Sequence, residues 1–383
     1  MNFEFATAGR ILFGQGRVRE AGEHAAAIGQ RALVLTGTRP ERAAPLIESL
    51  EAQGVAFELF TVDGEPTIEM ANAGAEAARL MRAEVVIGIG GGSVLDATKA
   101  IAALTTNDGD PLRYLEVIGQ GLPFEQAPLP CMAIPTTSGT GAEVTRNAVL
   151  ASKEHRVKVS LRSPLMLPRV AIVDPELTYS VPPEVTAYTG MDALTQVIEP
   201  YVCNAPSPVA DGIAREGMIR IARSLQRAYD DGRDQEARED MAIGSLLGGL
   251  ALANARLGGV HGFAGPLGGM YDAPHGALIA ALLPQVMAVN IRALRERQPH
   301  GETLRRYEDV ARLLTGDPNA AADDGVAWVR ALSQDLNIAP LAAYGIVPDH
   351  YPQIVEKAAR ANSMKGNSIL LTDGELLAIV SAS

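Results

Sequence analysis

The sequence contains little cysteine, and its cysteines form no pattern. Only two occur in 383 residues, Cys131 and Cys203, and they lie far apart with no Cys-x-x-Cys pair. This spacing indicates neither a disulfide framework nor a zinc-finger site. Scarce, unpaired cysteine is typical of a protein from a reducing compartment, so we expect a cytoplasmic location.

Basic clusters and long apolar runs are also missing. Asp and Glu outnumber Lys and Arg by 45 to 33, the net charge is -12, and no local Lys/Arg cluster offsets it. We therefore expect no nucleic-acid partner, since a polyanion needs a basic patch. There is no run of about 18 apolar residues, the length that indicates a membrane span. The start, MNFEFATAGR, lacks a basic segment followed by an apolar one, so neither a membrane span nor an export signal is expected.

In the first half of the chain, apolar runs alternate with helix-like segments. The runs RALVLTG (31–37), VAFELFTV (55–62) and EVVIGIGGG (84–92) have the composition of strands, and an amphipathic segment separates each from the next. Apolar strands that alternate with helices usually form a parallel sheet covered on both faces. This βαβαβ rhythm predicts a Rossmann-like α/β domain, whose strand ends hold nucleotides.

The pattern changes near Leu177. The last strand-like run, RVAIVDP, leads into the proline-containing DPELTYSVPP, and later segments such as 209–232 are long and rich in Ala, Leu, Ile and Arg. Proline in this position favours the end of a structural unit. We predict an α/β domain over residues 1–178 and an all-helical domain over residues 179–383, which agrees with the chain length.

A glycine-rich turn follows the third predicted strand. It contains Gly90, Gly91, Gly92 and Ser93 and leads into the helix-like DATKA. Glycine lets the backbone approach a ligand closely, and a helix amino terminus offers free N–H groups to a phosphate. A tight strand-to-helix corner without a ligand is the alternative interpretation.

A second turn of small polar residues follows the strand-like LPCMAI. This turn, PTTSGTGAEVTRN (135–147), supplies the hydroxyls of Thr136, Thr137, Ser138 and Thr140. Alone it would equally be a Ser/Thr-rich capping loop. Two such turns at neighbouring strand ends predict a site for one dinucleotide.

Metal-ligating side chains are present in the second half. His261 and His275 are two of only six histidines and are surrounded by glycine and apolar residues. In GMDALTQVIE (190–199), Asp192 and Gln196 are four residues apart and so share one helix face. Asp192 and the two histidines would form an N,N,O set suited to a divalent transition metal with open positions. Alternatively, backbone or water satisfies Asp192 and the histidines only line a cleft.

The order of these motifs resembles the iron-containing (group III) alcohol dehydrogenase family. The similarity runs from FATAGRILFGQG (5–16) through GGGSVLDATKAI, PTTSGTGAEVT and GMDALT to VHGFAGPLGGMYDAPHG and NSMKGNSILLTDGEL. It implies a dinucleotide-binding α/β domain, a helical C-terminal domain and catalysis in the cleft between them. It also implies NAD or NADP as the cofactor, a small alcohol or carbonyl substrate, and a homodimer.

The resemblance also implies roles for individual residues. Asp192, His261 and His275 match metal ligands, for Fe²⁺ or Zn²⁺, but the position of another ligand, a histidine in the family, holds Gln196. A further family histidine near the substrate is replaced by Gly265, so we expect a roomier substrate site. No residue is assigned a catalytic role beyond metal and cofactor binding. The positions implied to line the dinucleotide are Gly90, Gly91, Gly92, Ser93, Asp96, Thr136, Thr137, Thr140, Asn147 and Lys158, the last two toward the ribose beside the nicotinamide. Without the family, Lys158 would be taken for a solvated surface lysine.

The end of the first strand of the βαβαβ segment bears on cofactor choice. Many NAD-preferring relatives have an aspartate there, but this chain has Gly37, Thr38 and Arg39. Without a carboxylate to repel a 2′-phosphate, we predict that NADPH is accepted. Gly37 and Thr38 are expected in the cofactor site and Arg39 is the candidate phosphate partner, although an exposed loop arginine is the alternative.

The main prediction is an NAD(P)-dependent alcohol dehydrogenase or carbonyl reductase. Gln196 and Gly265 leave two other functions open. One is a catalytically disabled homologue that binds nucleotide and serves a regulatory or scaffolding role. The other is a metal-independent enzyme resembling maleylacetate reductases, which usually have a second loop different from TTSGTG.

Overall fold

A computed structural model describes residues 2–152, 154–155 and 157–383. Contacts divide the chain into two compact units. The α/β unit comprises Ala6–Thr137 and Gly141–Ser180, and the helical unit comprises Val181–Ser383 with residues 2–5 and Ser138–Thr140. The predicted fold class, a parallel α/β domain followed by an all-helical domain, is confirmed. The bounds 1–178 and 179–383 stay a prediction for the domains as folding units.

A six-stranded parallel sheet organises the α/β unit. The strands of this unit are β1 Ile11–Phe13, β2 Arg31–Thr36, β3 Ala56–Thr61, β4 Val85–Gly90, β5 Cys131–Pro135, β6 Asn147–Ser152, β7 Val157–Arg162 and β8 Val170–Val173. The sheet has the order β1-β8-β5-β4-β2-β3, and each neighbouring pair is parallel. Its helices are α1 Ala21–Ala26, α2 Ala44–Ala52, α3 Ile68–Leu80 and α4 Gly92–Thr106.

Both faces of this sheet are covered, as the apolar runs predict. Along β2, Leu33 and Leu35 pack into one core with α3 and α4, whereas Ala32 and Val34 pack into another with α1 and α2. Strand β3 differs from the prediction of a buried run, since Leu59 is 51% exposed. The reason is its place at the edge of the sheet, where β2 is its only partner among the described strands.

Strands β6 and β7 form an antiparallel hairpin that the sequence patterns did not predict. Burial alternates along both strands, and Ala148, Leu150, Val159 and Leu161 lie in the core that contains α3 and α4. An alternation of six residues is too short to stand out between two polar turns. The hairpin follows the turn of small polar residues at 135–147 and packs against α4.

The helical unit contains a hydrophobic core of its own. Its helices are α5 Pro183–Val202, α6 Pro208–Asp230, α7 Gln235–Asn254, α8 Gly259–Met270, α9 His275–Arg297, α10 Glu302–Thr315, α11 Ala322–Asp335, α12 Tyr351–Arg360 and α13 Asp373–Ala382. Helix α9 is long and apolar enough to cross a membrane, with a mean hydropathy of 1.7 over 18 residues, but 83% of that window is buried in the protein. That burial identifies α9 as a core helix.

Candidate functional site

Helix α5 carries three buried polar side chains on one face. Asp192, Gln196 and Glu199 occupy positions i, i+4 and i+7, which align on an α-helix. Their exposed fractions are 2%, 2% and 5%. Burial of carboxylates and amides is costly unless they are paired. The partners of these three residues therefore determine what this face of α5 does.

The two histidines lie beside Asp192. His261 lies in the first turn of α8 and His275 is the first residue of α9. One ligand atom from each of Asp192, His261 and His275 lies within 4.8 Å of the others. The centroids of the two imidazole rings are 5.7 Å apart. The structure thus brings together the three residues that spacing alone could not show to converge.

Two buried oxygens at this place have no hydrogen-bond donor among the residues that the structure describes. They are Oδ1 of Asp192 and Oε1 of Gln196. Oδ1 of Asp192 lies 3.5 Å from Nε2 of His261, a contact rather than a well-formed hydrogen bond. The two imidazoles and the Asp192 carboxylate, whose Oδ1 has no donor in the described part of the chain, fit a divalent transition metal that keeps open positions for substrate.

The electrostatics of the cluster favour a cation. Burial would raise the pKa of Asp192, but His261 and His275 outweigh it and hold that pKa below its ordinary value. Burial would lower the pKa of His261, but the two carboxylates of Glu199 and Asp192 raise it to about 10 in the metal-free protein. Two negative groups therefore flank one imidazole in a buried site, and this arrangement attracts positive charge.

Glu199 fixes the orientation of His261. Nδ1 of His261 donates to Oε2 of Glu199 at 2.7 Å, and the N–H of Val260 donates to Oε1 at 2.7 Å. With Nδ1 occupied, Nε2 is directed toward Asp192. A carboxylate behind a ligating histidine is typical of metal sites. No sequence pattern singled out Glu199, although its i+7 spacing from Asp192 places it on the same helix face.

Gln196 is anchored through its nitrogen. Its Nε2 donates to the carbonyl oxygen of Gly139 at 3.2 Å. A Cβ on Gly139 would lie 2.7 Å from Cβ of Thr189, so glycine is required for this close approach. Because the nitrogen is engaged, Oε1 is the free atom of the amide. A neutral amide oxygen is a poorer ligand for a transition metal than an imidazole nitrogen.

The two small-residue turns of the α/β unit meet at the ends of neighbouring strands. Strands β4 and β5 are adjacent, and the N–H of Thr136 donates to the carbonyl of Gly90 at 2.9 Å. Helix α4 starts at Gly92, and within the described residues no side chain caps its amino terminus. Free N–H groups at a helix start beside a glycine turn can bind a phosphate.

The remaining residues that we predict to bind the cofactor lie in several places. Gly37 follows β2, which is parallel to β4, and Thr38 and Arg39 are exposed in the same loop. Because the carboxyl ends of parallel strands share one edge of a sheet, this loop lies at the edge that carries the Gly90 turn. Ser93 lies in the first turn of α4. Thr140 belongs with the helical unit.

Asp96 and Lys158 both form ion pairs within the α/β unit. Oδ1 of Asp96 lies 3.0 Å from Nζ of Lys99, and Oδ2 accepts the N–H of Val149 at 3.0 Å. Nζ of Lys158 lies 2.6 Å from Glu65. Asp96 therefore connects α4 to the hairpin. Lys99, only 1% exposed, is a buried charge that no sequence pattern indicated.

Asn147 and Lys158 lie on one face of the hairpin. Asn147 pairs with Arg162 and Lys158 pairs with Ala151, four residues further along. The strand rise puts their backbones about 13 Å apart. The long lysine side chain spans part of that distance, and the assignment of both residues to one ribose stays a prediction.

Two family models match this chain. The one described as "Iron-containing alcohol dehydrogenase" matches residues 8–175, and the one described as "Fe-containing alcohol dehydrogenase family, C-terminal" matches residues 186–383. Choline dehydrogenase from Bacillus subtilis (strain 168) is 34% identical over 371 residues, covering 95% of this chain and 90% of the relative.

Solved structures are similar over the whole chain. A 1,3-propanediol oxidoreductase superposes with a TM-score of 0.93 and 31% identity, covering 100% of this chain and 99% of the other. Sulfoacetaldehyde reductase from Bifidobacterium kashiwanohense, solved in complex with NAD+, superposes with a TM-score of 0.88 and 29% identity, covering 100% and 98%.

Proposed function

This chain belongs to the iron-containing alcohol dehydrogenase family, and on that premise we propose that it transfers a hydride between NAD(P)(H) and an alcohol/aldehyde or ketone pair. The observation that carries the proposal is the buried cluster of Asp192, His261 and His275. Fe²⁺ or Zn²⁺ held by these residues would supply Lewis-acid polarisation of the substrate oxygen, and a bound nicotinamide would supply or accept the hydride.

Each side chain of the cluster would supply one ligand atom to that ion. Asp192 supplies a charged oxygen, which offsets the charge of the cation in a buried place. His261 and His275 each supply one nitrogen, and Glu199 keeps the His261 ring turned so that Nε2 faces the site. Three protein ligands leave room for the oxygen of the substrate.

The dinucleotide is assigned to the α/β turns. We place its pyrophosphate at Gly90, Gly91, Gly92 and Ser93 and the first N–H groups of α4. The other proposed cofactor residues are Gly37, Thr38, Asp96, Thr136, Thr137, Thr140, Asn147 and Lys158. Asp96 acts there through its bonds to Lys99 and Val149, which hold the hairpin against α4. A homodimer is also proposed, from the family resemblance.

An assay across substrates and metals tests this function. NADH and NADPH oxidation is followed with aldehydes and ketones of increasing size, after chelation and after addition of Fe²⁺ or Zn²⁺. Metal-dependent reduction supports the proposal. Nucleotide binding without turnover across the panel indicates a catalytically disabled homologue, and full activity in chelator indicates a metal-independent reductase.

We predict that NADPH is used at least as well as NADH, and that Arg39→Ala raises the KM for NADPH about tenfold. The basis is the loop of Gly37, Thr38 and exposed Arg39, which offers a guanidinium and no carboxylate to the 2′-phosphate. One charge-assisted hydrogen bond contributes about 1.5–3 kcal/mol. Arg10→Ala, which removes another exposed arginine of the α/β unit, serves as the control. A strong preference for NADH in kcat/KM would contradict this prediction.

We predict that Gly265→His lowers kcat/KM for bulky carbonyl substrates about tenfold while small aldehydes are less affected. Gly265 is one helical turn after His261, and a Cβ at this position would meet no atom within 4 Å. An imidazole there would fill open space near the cluster of Asp192, His261 and His275. Pocket contacts of this size change the relative transition-state binding of two substrates by about 1–3 kcal/mol. Gly212→His, at an equally open position on α6, is the matched control. Equal losses for small and bulky substrates would show that this space does not receive the substrate.

A further inference from the structure

The closing motif NSMKGN (362–367) has no role in the function proposed above. Its last residue nevertheless hydrogen-bonds to helices that carry the proposed metal ligands. Asn367 is buried, and its Oδ1 accepts the N–H of Gly259 at 3.0 Å. Gly259 is the first residue of α8, two residues before His261. Asn367 therefore satisfies one of the orphan donors at the start of this helix.

Asn367 also binds the helix that carries the other histidine. Nδ2 of Asn290 donates to Oδ1 of Asn367 at 3.0 Å, and Nδ2 of Asn367 donates to Oδ1 of Asn290 at 2.8 Å. Asn290 belongs to α9, which begins at His275. The same amide thus connects α8 to α9 by reciprocal hydrogen bonds in a buried place.

Glu199 brings the third helix with a proposed ligand, α5, into contact with the start of α8. A Cβ on Gly258 would lie 3.0 Å from Oε1 of Glu199 and 3.2 Å from Oδ1 of Asn367, so both side chains converge on the start of α8. The cavity that these residues line with Tyr307 has a volume of about 10 Å³. That is roughly the minimum for one water, so these polar groups do not form a substrate pocket.

We propose that Asn367 is a positioning residue of the metal centre, which sets the distances between the ligands on α5, α8 and α9. The inference rests on the proposed metal-binding function. Among the described residues, Asn367 makes no hydrogen bond to Asp192, His261 or His275, and it acts through Gly259, Asn290 and the Glu199 that orients His261. Loss of a residue that hydrogen-bonds a metal ligand typically lowers metal affinity by about 10- to 100-fold, and we expect an effect on that scale here.

Metal affinity tests this role. The dissociation constant for Zn²⁺ is measured by competition with a chelator, and the visible spectrum of the Co²⁺ form is recorded, for the wild type, Asn367→Ala and Asn107→Ala. Asn107 is a matched control because it is also a buried asparagine that binds several backbone groups, but within the α/β unit. We expect Asn367→Ala to weaken Zn²⁺ binding about 10- to 100-fold and to change the Co²⁺ spectrum. Asn107→Ala should lower Tm without either effect.

The outcomes distinguish failure of the positioning role from failure of the proposed metal-binding function. A wild type that binds Zn²⁺, together with an unchanged dissociation constant and Co²⁺ spectrum in folded Asn367→Ala, overturns the positioning role alone. A wild type that binds neither metal overturns both. If Asn367→Ala does not fold, Asn290→Ala removes the partner on α9 and must weaken Zn²⁺ binding in the same direction, and unchanged binding there counts against the proposal.

Discussion

A Gly91→Val variant is expected to fold and to lose about 100-fold in affinity for NADH and NADPH, equivalent to about 2.8 kcal/mol. The backbone of Gly91 has φ -73° and ψ -176°, which any residue adopts. A Cβ there would meet only Thr137, at 3.6 Å, an ordinary contact. The protein without nucleotide therefore tolerates a side chain at position 91. A pyrophosphate that lies against this turn would collide with that side chain. The measurement is nucleotide binding by fluorescence or calorimetry.

The neighbouring glycine shows why Gly91 is the better position. A Cβ on Gly90 would lie 2.5 Å from Val94, so a variant there would disturb the fold itself. Gly212→Val, in an open position on α6, is the control for a valine that meets no neighbour. Unchanged nucleotide affinity in a folded Gly91→Val protein would remove this turn from the cofactor site.

Gln196→His is expected to tighten metal binding about tenfold or more, because it replaces an amide oxygen with an imidazole nitrogen, a better ligand for Fe²⁺ or Zn²⁺. Residue 196 is one helical turn from Asp192 on the same buried face of α5. A histidine there faces the cluster from the place where the Gln196 amide now lies. Metal affinity by chelator competition measures the change.

Gln196→Leu is the control for this substitution. It removes the hydrogen bond to Gly139 without supplying a ligand, so it should not tighten metal binding. If Gln196→His and Gln196→Leu have the same metal affinity, the side chain at position 196 does not approach the metal, which would contradict a metal site beside Asp192 on this face of α5.

The features that the sequence predicted well depend on residues that are close together along the chain. Strand β4, the Gly90 turn and α4 follow one another along the chain, so composition and glycine placement were sufficient to predict them. The i, i+4 relation of Asp192 and Gln196 is of the same kind. The convergence of His261 and His275 on Asp192 rests on helix packing, so the residue types and the family resemblance could suggest it but their spacing in the sequence could not show it.

The features that the sequence did not predict depend on tertiary neighbours. Glu199 becomes informative only when His261 is seen against it, and Lys99 only when Asp96 and the loop at Ala142 surround it. Strand β3 is apolar in sequence but exposed, because the sheet ends there. No local pattern records which strand lies at an edge or which helix faces another.

The most direct test of the metal-dependent function is elemental analysis of the purified protein combined with its turnover before chelation, after chelation and after metal is restored. We predict one divalent transition-metal ion bound per chain at the cluster of Asp192, His261 and His275. Chelation should remove both the ion and the activity, and Fe²⁺ or Zn²⁺ should restore both. A metal-free protein that reduces carbonyl substrates at the full rate and is indifferent to chelator would contradict this account.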